Sequence, residues 1–286
     1  TATHAFTTAL ELPDAVAREV GRISSDEEER SRLGYSVRAA YRLPVSAHRG
    51  HLRHGDERLL SFAYGHNSGL LLVNLGRPDR ETGAVEPFYW CRACRRWLGG
   101  PDAAHEHYTS DTDTCPAGGR ADEDLYSDIV LFTEGTHDLL VVDVAVPEGA
   151  NAQAFGKTLL YALLAGFEVA FSVDPSEMQG HVFPHPDGDA IARIVLNETD
   201  EGGAGLISAF TELDGWQRTI RKALEILHVN PDTGNDMANA CQRACYECLL
   251  SFYNQSDHQI LDRSLVIPSL LRLLNVDAIE VDASDS

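Results

Sequence analysis

The clearest pattern in the first part of the chain has a period of two. Tyr35, Val37, Ala39 and Tyr41 alternate with Ser36, Arg38, Ala40 and Arg42, which predicts a strand with one polar face, ended at Pro44. Before it, Phe6 to Val20 has helical spacing and predicts an amphipathic helix, followed by the acidic run Asp26 to Glu29. After it, His48, His51 and His54 recur among Arg49, Arg53 and Arg58, with Gly50 and Gly55 between them, and predict a flexible surface loop. Leu59 to Tyr64 and Leu70 to Leu75 predict two strands joined by the turn-rich Gly65 to Gly69, and Arg77 to Pro87 a polar loop.

Further on, Tyr126 to Thr133 and Asp138 to Val146 are β-branched and apolar, predicting a hairpin around Glu134-Gly-Thr-His137. Helical faces recur over Leu159 to Phe167, from Leu206, over Trp216 to Leu227 and over Ile267 to Leu274, with strands at Glu168 to Val173 and Ala190 to Asn197. The glycines after Glu198 predict a tight crossover that uses their conformational freedom. A short turn at Asn230 to Asn235 leads into a helix expected to carry the last cysteines, and the acidic tail from Asp277 is expected to fray. This order predicts an α+β fold, a mixed β-sheet backed by helices. The expected division is a helix and linker at 1–33, one compact unit at 34–276 with a zinc-ribbon-like insertion near 86–122, and a tail at 277–286.

With 286 residues, 43% of them hydrophobic, the chain can bury a sizeable core. It begins at Thr1 rather than Met, as a piece of a longer chain would. No run of eighteen apolar residues or apolar signal core is present, so a cytoplasmic protein without a membrane partner is expected. The net charge of -21 argues against non-specific wrapping of nucleic acid. Lys157 and Lys222 are the sole lysines, so positive charge is nearly all arginine. Arg38, Arg42, Arg49 and Arg53 are the candidate phosphate contacts, because a guanidinium fork matches phosphate oxygens.

The strongest chemical signal lies in the cysteines. Cys241, Cys245 and Cys248 fall within eight positions, and Cys-x-x-Cys spacing lets one turn of chain offer two sulfurs to a tetrahedral Zn2+. His258 is the plausible fourth ligand, with Leu249, Leu250, Phe252 and Tyr253 expected to pack around the ion. Cys91 and Cys94 form a second Cys-x-x-Cys, which Cys115 and either His105 or His107 would complete as another zinc site. Six cysteines in a chain of this length and spacing read as metal ligands rather than a disulfide framework.

Two other motifs carry less. Gly149 to Thr158 ends in Gly-Lys-Thr, but six residues rather than four separate its glycines, and the helical face places Lys157 inside a helix instead of a phosphate-cupping loop. Glu198, Asp200 and Glu201, with Asp138 or Asp143, could hold magnesium for a nuclease, although no lysine accompanies them.

The run Cys241-x-x-x-Cys245-Tyr-x-Cys248-Leu, then Asn254-Gln255, His258 and Leu261-Asp262-Arg263, resembles the C-terminal signature of the MrfA-type zinc-binding (MZB) domain family. That family occurs on superfamily 2 DNA helicases, and the likeness is greatest to its DISARM phage-defence members. Its specific part is short, Cys241 to Arg263, within a wider likeness over roughly 35–275. In helicases of the family a fourth cysteine falls where this chain has Asn254, which leaves the fourth ligand open. The resemblance implies a zinc-binding, non-catalytic accessory module that positions DNA or a partner, its partner being a helicase ATPase domain or subunit. The alternatives are a docking scaffold of the same complex that does not touch DNA, and a metal-dependent nuclease.

Overall fold

The computed structural model describes residues 8–11, 35–78, 84–98, 100–109, 115, 125–238 and 240–282. In chain order the strands are β1 (Thr8–Glu11), β2 (Val37–Arg42), β3 (His48–His54), β4 (Glu57–Asn74), β5 (Arg77–Pro78), β6 (Val85–Glu86), β7 (Phe88–Cys91) and β8 (Arg96–Leu98). Helix α1 (Pro101–Thr109) follows, then β9 (Leu125–Ala145), α2 (Ala152–Phe171), β10 (Met178–Phe183), β11 (Ile191–Glu198), α3 (Leu213–Ile226), α4 (Ile267–Leu274) and β12 (Ala278–Val281). The architecture is mixed α+β, an antiparallel-rich sheet with helices. The chain divides into two compact units, residues 1–40 with 70–135, and 41–69 with 136–286.

In the first unit β1 runs parallel to β9, with Thr8 opposite Ile129, and β7 lies antiparallel to both β8 and β9. The helix expected at Phe6 to Val20 is therefore corrected over Thr8–Glu11, where backbone pairing with β9 overrides helical spacing. The rest of that helix, and the acidic run at 26–29, lie outside the described residues. The polar loop expected after Arg77 includes a short ladder, with Arg77 opposite Glu86.

The second unit orders its strands β10-β11-β9-β4-β3-β12. Helix α2 starts because Asn151 leaves the helical region and its side chain accepts from Ala154 N at 2.9 Å, a standard N-cap. It stops at Ser172, which adopts φ 56. Phe155, Leu159, Leu163 and Phe167 of α2 meet Leu140 and Val142 of β9, Ile194 and Leu196 of β11, and Trp216, Ile220 and Leu224 of α3 in one core. Full burial of each such side chain stabilises by roughly 1.5–3 kcal/mol. The close approach of α2 to α3 depends on Gly166, where a Cβ would collide with the Thr219 carbonyl and the Ala223 backbone. By length and composition α2 could cross a membrane. Here its apolar face is spent on the core.

Several expectations are corrected in this unit. The segment read as a flexible loop at 46–58 contains β3, whose bases meet acids of β12: Arg53 pairs with Glu280 at 2.6 Å and His51 with Asp282 at 3.2 Å. The tail from Asp277 therefore adds a strand instead of fraying over Ala278–Val281. Gly65 to Gly69 kinks β4 at Asn67 (φ 52) without ending it, because Asp138 accepts from Asn67 N at 3.1 Å. The hairpin expected at 134–137 is absent, and β9 runs straight on. Its successive halves have different partners, β1 and β7 before and β11 after, so no reversal is needed to pair it. Glu168 to Phe171 continue α2 rather than forming a strand, and β10 has no counterpart among the expected elements.

Candidate metal centres

In the first unit the end of β7 and the start of β8 form a knuckle. Arg95 adopts φ 59 and its N–H bonds the Cys91 carbonyl at 2.8 Å, a turn that points two sulfurs the same way. Helix α1 then brings His107, one of the two histidines left open by the sequence, to Cys94, with Nε2 and Sγ 3.4 Å apart. Cys115 completes the group, its sulfur 3.5 Å from that of the fully buried Cys91. Ala93, Leu98, Tyr108 and Leu125 pack around them.

The second group is built from two loops. His228 follows α3 with φ 60, a left-handed residue that turns the chain back so that its carbonyl accepts from Met237 N at 2.7 Å. Its Nε2 lies 3.3 Å from Cys245 Sγ. Cys241 and Cys248 sulfurs are 3.7 Å apart, and those of Cys245 and Cys248 3.5 Å. The Cys245 N–H points at the Cys248 sulfur at 3.1 Å. The cysteines sit outside any helix, on bends and turns rather than on the helix expected, the Cys248 N–H bonding the Cys245 carbonyl at 3.1 Å and the Cys245 N–H facing the Cys248 sulfur.

Both sets pass a geometric test for zinc. In a tetrahedron with Zn–S arms of 2.3 Å and Zn–N arms near 2.05 Å, sulfurs are about 3.8 Å apart and sulfur and nitrogen about 3.5 Å. The separations above match this and are far longer than a disulfide, and within each set all ligand atoms lie within 4.8 Å of one another. Proton affinities agree. Burial raises Cys91, but Tyr108, the Cys94 amide, His107 and Cys115 outweigh it and bring the thiol down to about 6. At Cys245 burial is likewise outweighed, by His228 and Cys248 first, giving about 7, while burial pushes Cys248 up to about 12. Crowded sulfurs cannot all be thiolates on their own; a dication removes that conflict.

Comparison with known proteins points the same way. Residues 159–249 match the family model of the MrfA Zn-binding domain, MZB. That stretch is similar to the MZB domain. The matched stretch contains His228, Cys241, Cys245 and Cys248, whereas the Cys91 centre lies outside it. No curated protein matches the chain. Among solved structures it is similar to a crystal structure of the DUF1998 helicase MrfA bound to DNA, at 10% identity and a TM-score of 0.45, covering 82% of this chain. The chain spans 25% of that helicase chain's length.

Two residues around this second group are placed away from the sulfurs. His258 is not in the group, since its Nε2 faces the Ser251 carbonyl at 3.1 Å and Asn254 Oδ1 at 3.0 Å. Asn254 is buried and donates to the Leu249 carbonyl at 2.7 Å while accepting from Ser251 N at 2.8 Å, so it braces the loop after Cys248. The histidine that the structure brings to the three cysteines is His228, thirteen residues upstream of Cys241, a position that local spacing does not flag. The role of Arg263 was also hidden. Buried, it donates to the carbonyls of Leu227 at 2.8 Å and Cys241 at 3.2 Å and to the Asp236 carboxylate, tying the His228 arm to the cysteine loop.

The remaining sequence candidates are placed as follows. Arg38 and Arg42 are exposed on β2. Arg49 donates to the Ala47 carbonyl at 3.1 Å, and Arg53, paired with Glu280, donates to the Asp56 carbonyl at 2.9 Å. Three of the carboxylates considered for magnesium are committed elsewhere. Glu198 accepts from the N–H groups of Ala204, Gly205 and Ile207, Asp143 holds Arg193 through two 2.7 Å bonds, and Asp138 accepts from Tyr64, His66 and Asn67. Lys157 lies inside α2, paired with Asp257 at 2.9 Å.

Proposed function

We propose that this chain is a zinc-stabilised accessory module of an ATP-dependent DNA helicase assembly, of the anti-phage DISARM kind, that positions DNA or a partner and performs no catalysis itself. The observation that carries the reading is the set of three cysteines and His228 at tetrahedral separations inside the MZB match. Four protein ligands close such a tetrahedron and leave no position for water or substrate, so the ion supplies folding free energy instead of Lewis-acid chemistry. In the proposed role Cys241, Cys245, Cys248 and His228 hold one zinc, Cys91, Cys94, His107 and Cys115 a second, and Arg38 and Arg42 offer phosphate contacts.

The test is elemental analysis of the purified chain together with its effect on a DISARM-type helicase. Two zinc ions per chain and a change in DNA-stimulated ATPase on adding it are expected. Full folding with no bound metal would sink the proposal. The net charge of -21 favours a second reading, a docking scaffold that touches only protein. The two separate on salt: DNA contact weakens steeply as salt rises, whereas docking through apolar contacts persists.

A further inference from the structure

The knuckle of the first unit has two faces of opposite character, and the strand period separates them. Cys91, Leu98 and Leu125 turn toward the metal group. Their neighbours Trp90, Trp97 and Tyr126 turn the other way and stand in register, Trp90 opposite Trp97 on β8 and opposite Tyr126 on β9. Phe88 and Tyr35 extend the row. Ring centroids step 5.6 Å from Tyr126 to Trp90, 6.3 Å to Trp97, 6.1 Å to Phe88 and 5.8 Å to Tyr35. Five aromatic rings are thus laid side by side on one sheet face, with Trp97 50% and Tyr126 38% exposed.

A charge pattern accompanies the row. Phe88 to Leu98 contains Arg92, Arg95 and Arg96 and no acidic residue, in a chain whose net charge is -21. All three arginines are exposed, and none forms an ion pair among the described residues. Arg53, by contrast, is answered by Glu280 and Arg193 by Asp143. A row of π faces beside unpaired guanidinium groups suits a ligand that alternates planar rings with anions.

We infer that the Tyr126–Trp90–Trp97–Phe88 face is a stacking platform for single-stranded polynucleotide, with Arg92 and Arg95 of the connecting turn receiving its phosphates. The inference deepens the DNA-positioning part of the function proposed above and rests on it. The chemistry is sequence-tolerant, because every base has a π face and every nucleotide a phosphate. It is also selective against duplex, whose bases are stacked on one another and shielded. Trp97 and Tyr126, the exposed rings, take the bases and Trp90 and Phe88 back them, while a metal held on the opposite face would keep the two strands of the knuckle in register.

The test is titration of the full, zinc-loaded chain with labelled dT and rU oligonucleotides of about 15 nucleotides and a duplex of equal length, following anisotropy and tryptophan quenching. Binding of either single strand, weakening as salt rises, with the duplex bound at least tenfold less well, is expected. Trp97→Ala lowers the single-strand affinity about tenfold, Trp97→Phe restores most of it, and a combined Arg92→Ser, Arg95→Ser variant flattens the salt dependence. Trp97 is half exposed, so these variants keep their zinc and their far-ultraviolet circular dichroism. No binding of either strand by protein that retains both zinc ions overturns the surface and leaves the zinc reading standing. Equal binding of duplex, or an unchanged affinity in Trp97→Ala, also overturns it.

Discussion

Arg263 donates from Nη1 to the carbonyl of Leu227 at 2.8 Å, and so holds the residue directly before His228. Its Nε reaches the Cys241 carbonyl at 3.2 Å, which makes one guanidinium the link between both arms of the metal group. Arg263→Ala leaves two carbonyls and Asp236 without their donor, at a cost of about 3 kcal/mol. Lower thermal stability and weaker zinc retention against a chelator are expected. Arg263→Lys is expected to rescue little, because an ammonium cannot span three acceptors in the plane of a fork.

The fourth ligand is testable by paired variants. His228→Ala reduces zinc from two ions per chain to one, whereas His258→Ala keeps both and disturbs only the brace made with Asn254. The readout is metal content by elemental analysis after dialysis. Equal zinc loss in both variants would remove the distinction drawn between them.

Gly166 allows α2 and α3 to touch backbone to backbone. Gly166→Ala would drive a methyl group into Thr219 and Ala223 and force the helices apart, costing about 1–3 kcal/mol. Gly149→Ala offers a contrast, since open space surrounds its Cβ position but its φ of 78 strains any side chain, so its cost is conformational alone. Thermal melts of the two variants separate packing from backbone strain.

The acid response has a defined sign at His181. Burial, and then the charge of Lys157, lower its pKa below the ordinary 6.5, and its Nε2 has no hydrogen-bond partner among the described residues. As pH falls through 6.5 the unfolded chain takes up this proton before the folded chain does, so stability declines until the lowered folded pKa is passed. Above 6.5 the group contributes no slope. Denaturant melts from about pH 7.5 to about pH 5.5 are expected to show His181→Leu gaining on the parent as pH falls.

What could be read from the residues alone follows from local chemistry. Cys-x-x-Cys spacing at 91 and 245 is a property of one turn of chain, so the two sulfur pairs and the kind of ion were legible. The alternation at 35–42 and the helical faces of α2, α3 and α4 were legible for the same reason, since period and burial are linked within a segment. Tertiary structure decided the rest. Whether 134–137 reverses the chain depends on which strands lie beside β9, and whether Ala278–Val281 frays depends on an open edge at β3. Asn254 and His258 satisfy each other across four residues, while His228 reaches Cys245 across seventeen. A ligand supplied by a distant loop leaves no mark in local spacing, because its position is set by how α3 packs and by the grip of Arg263.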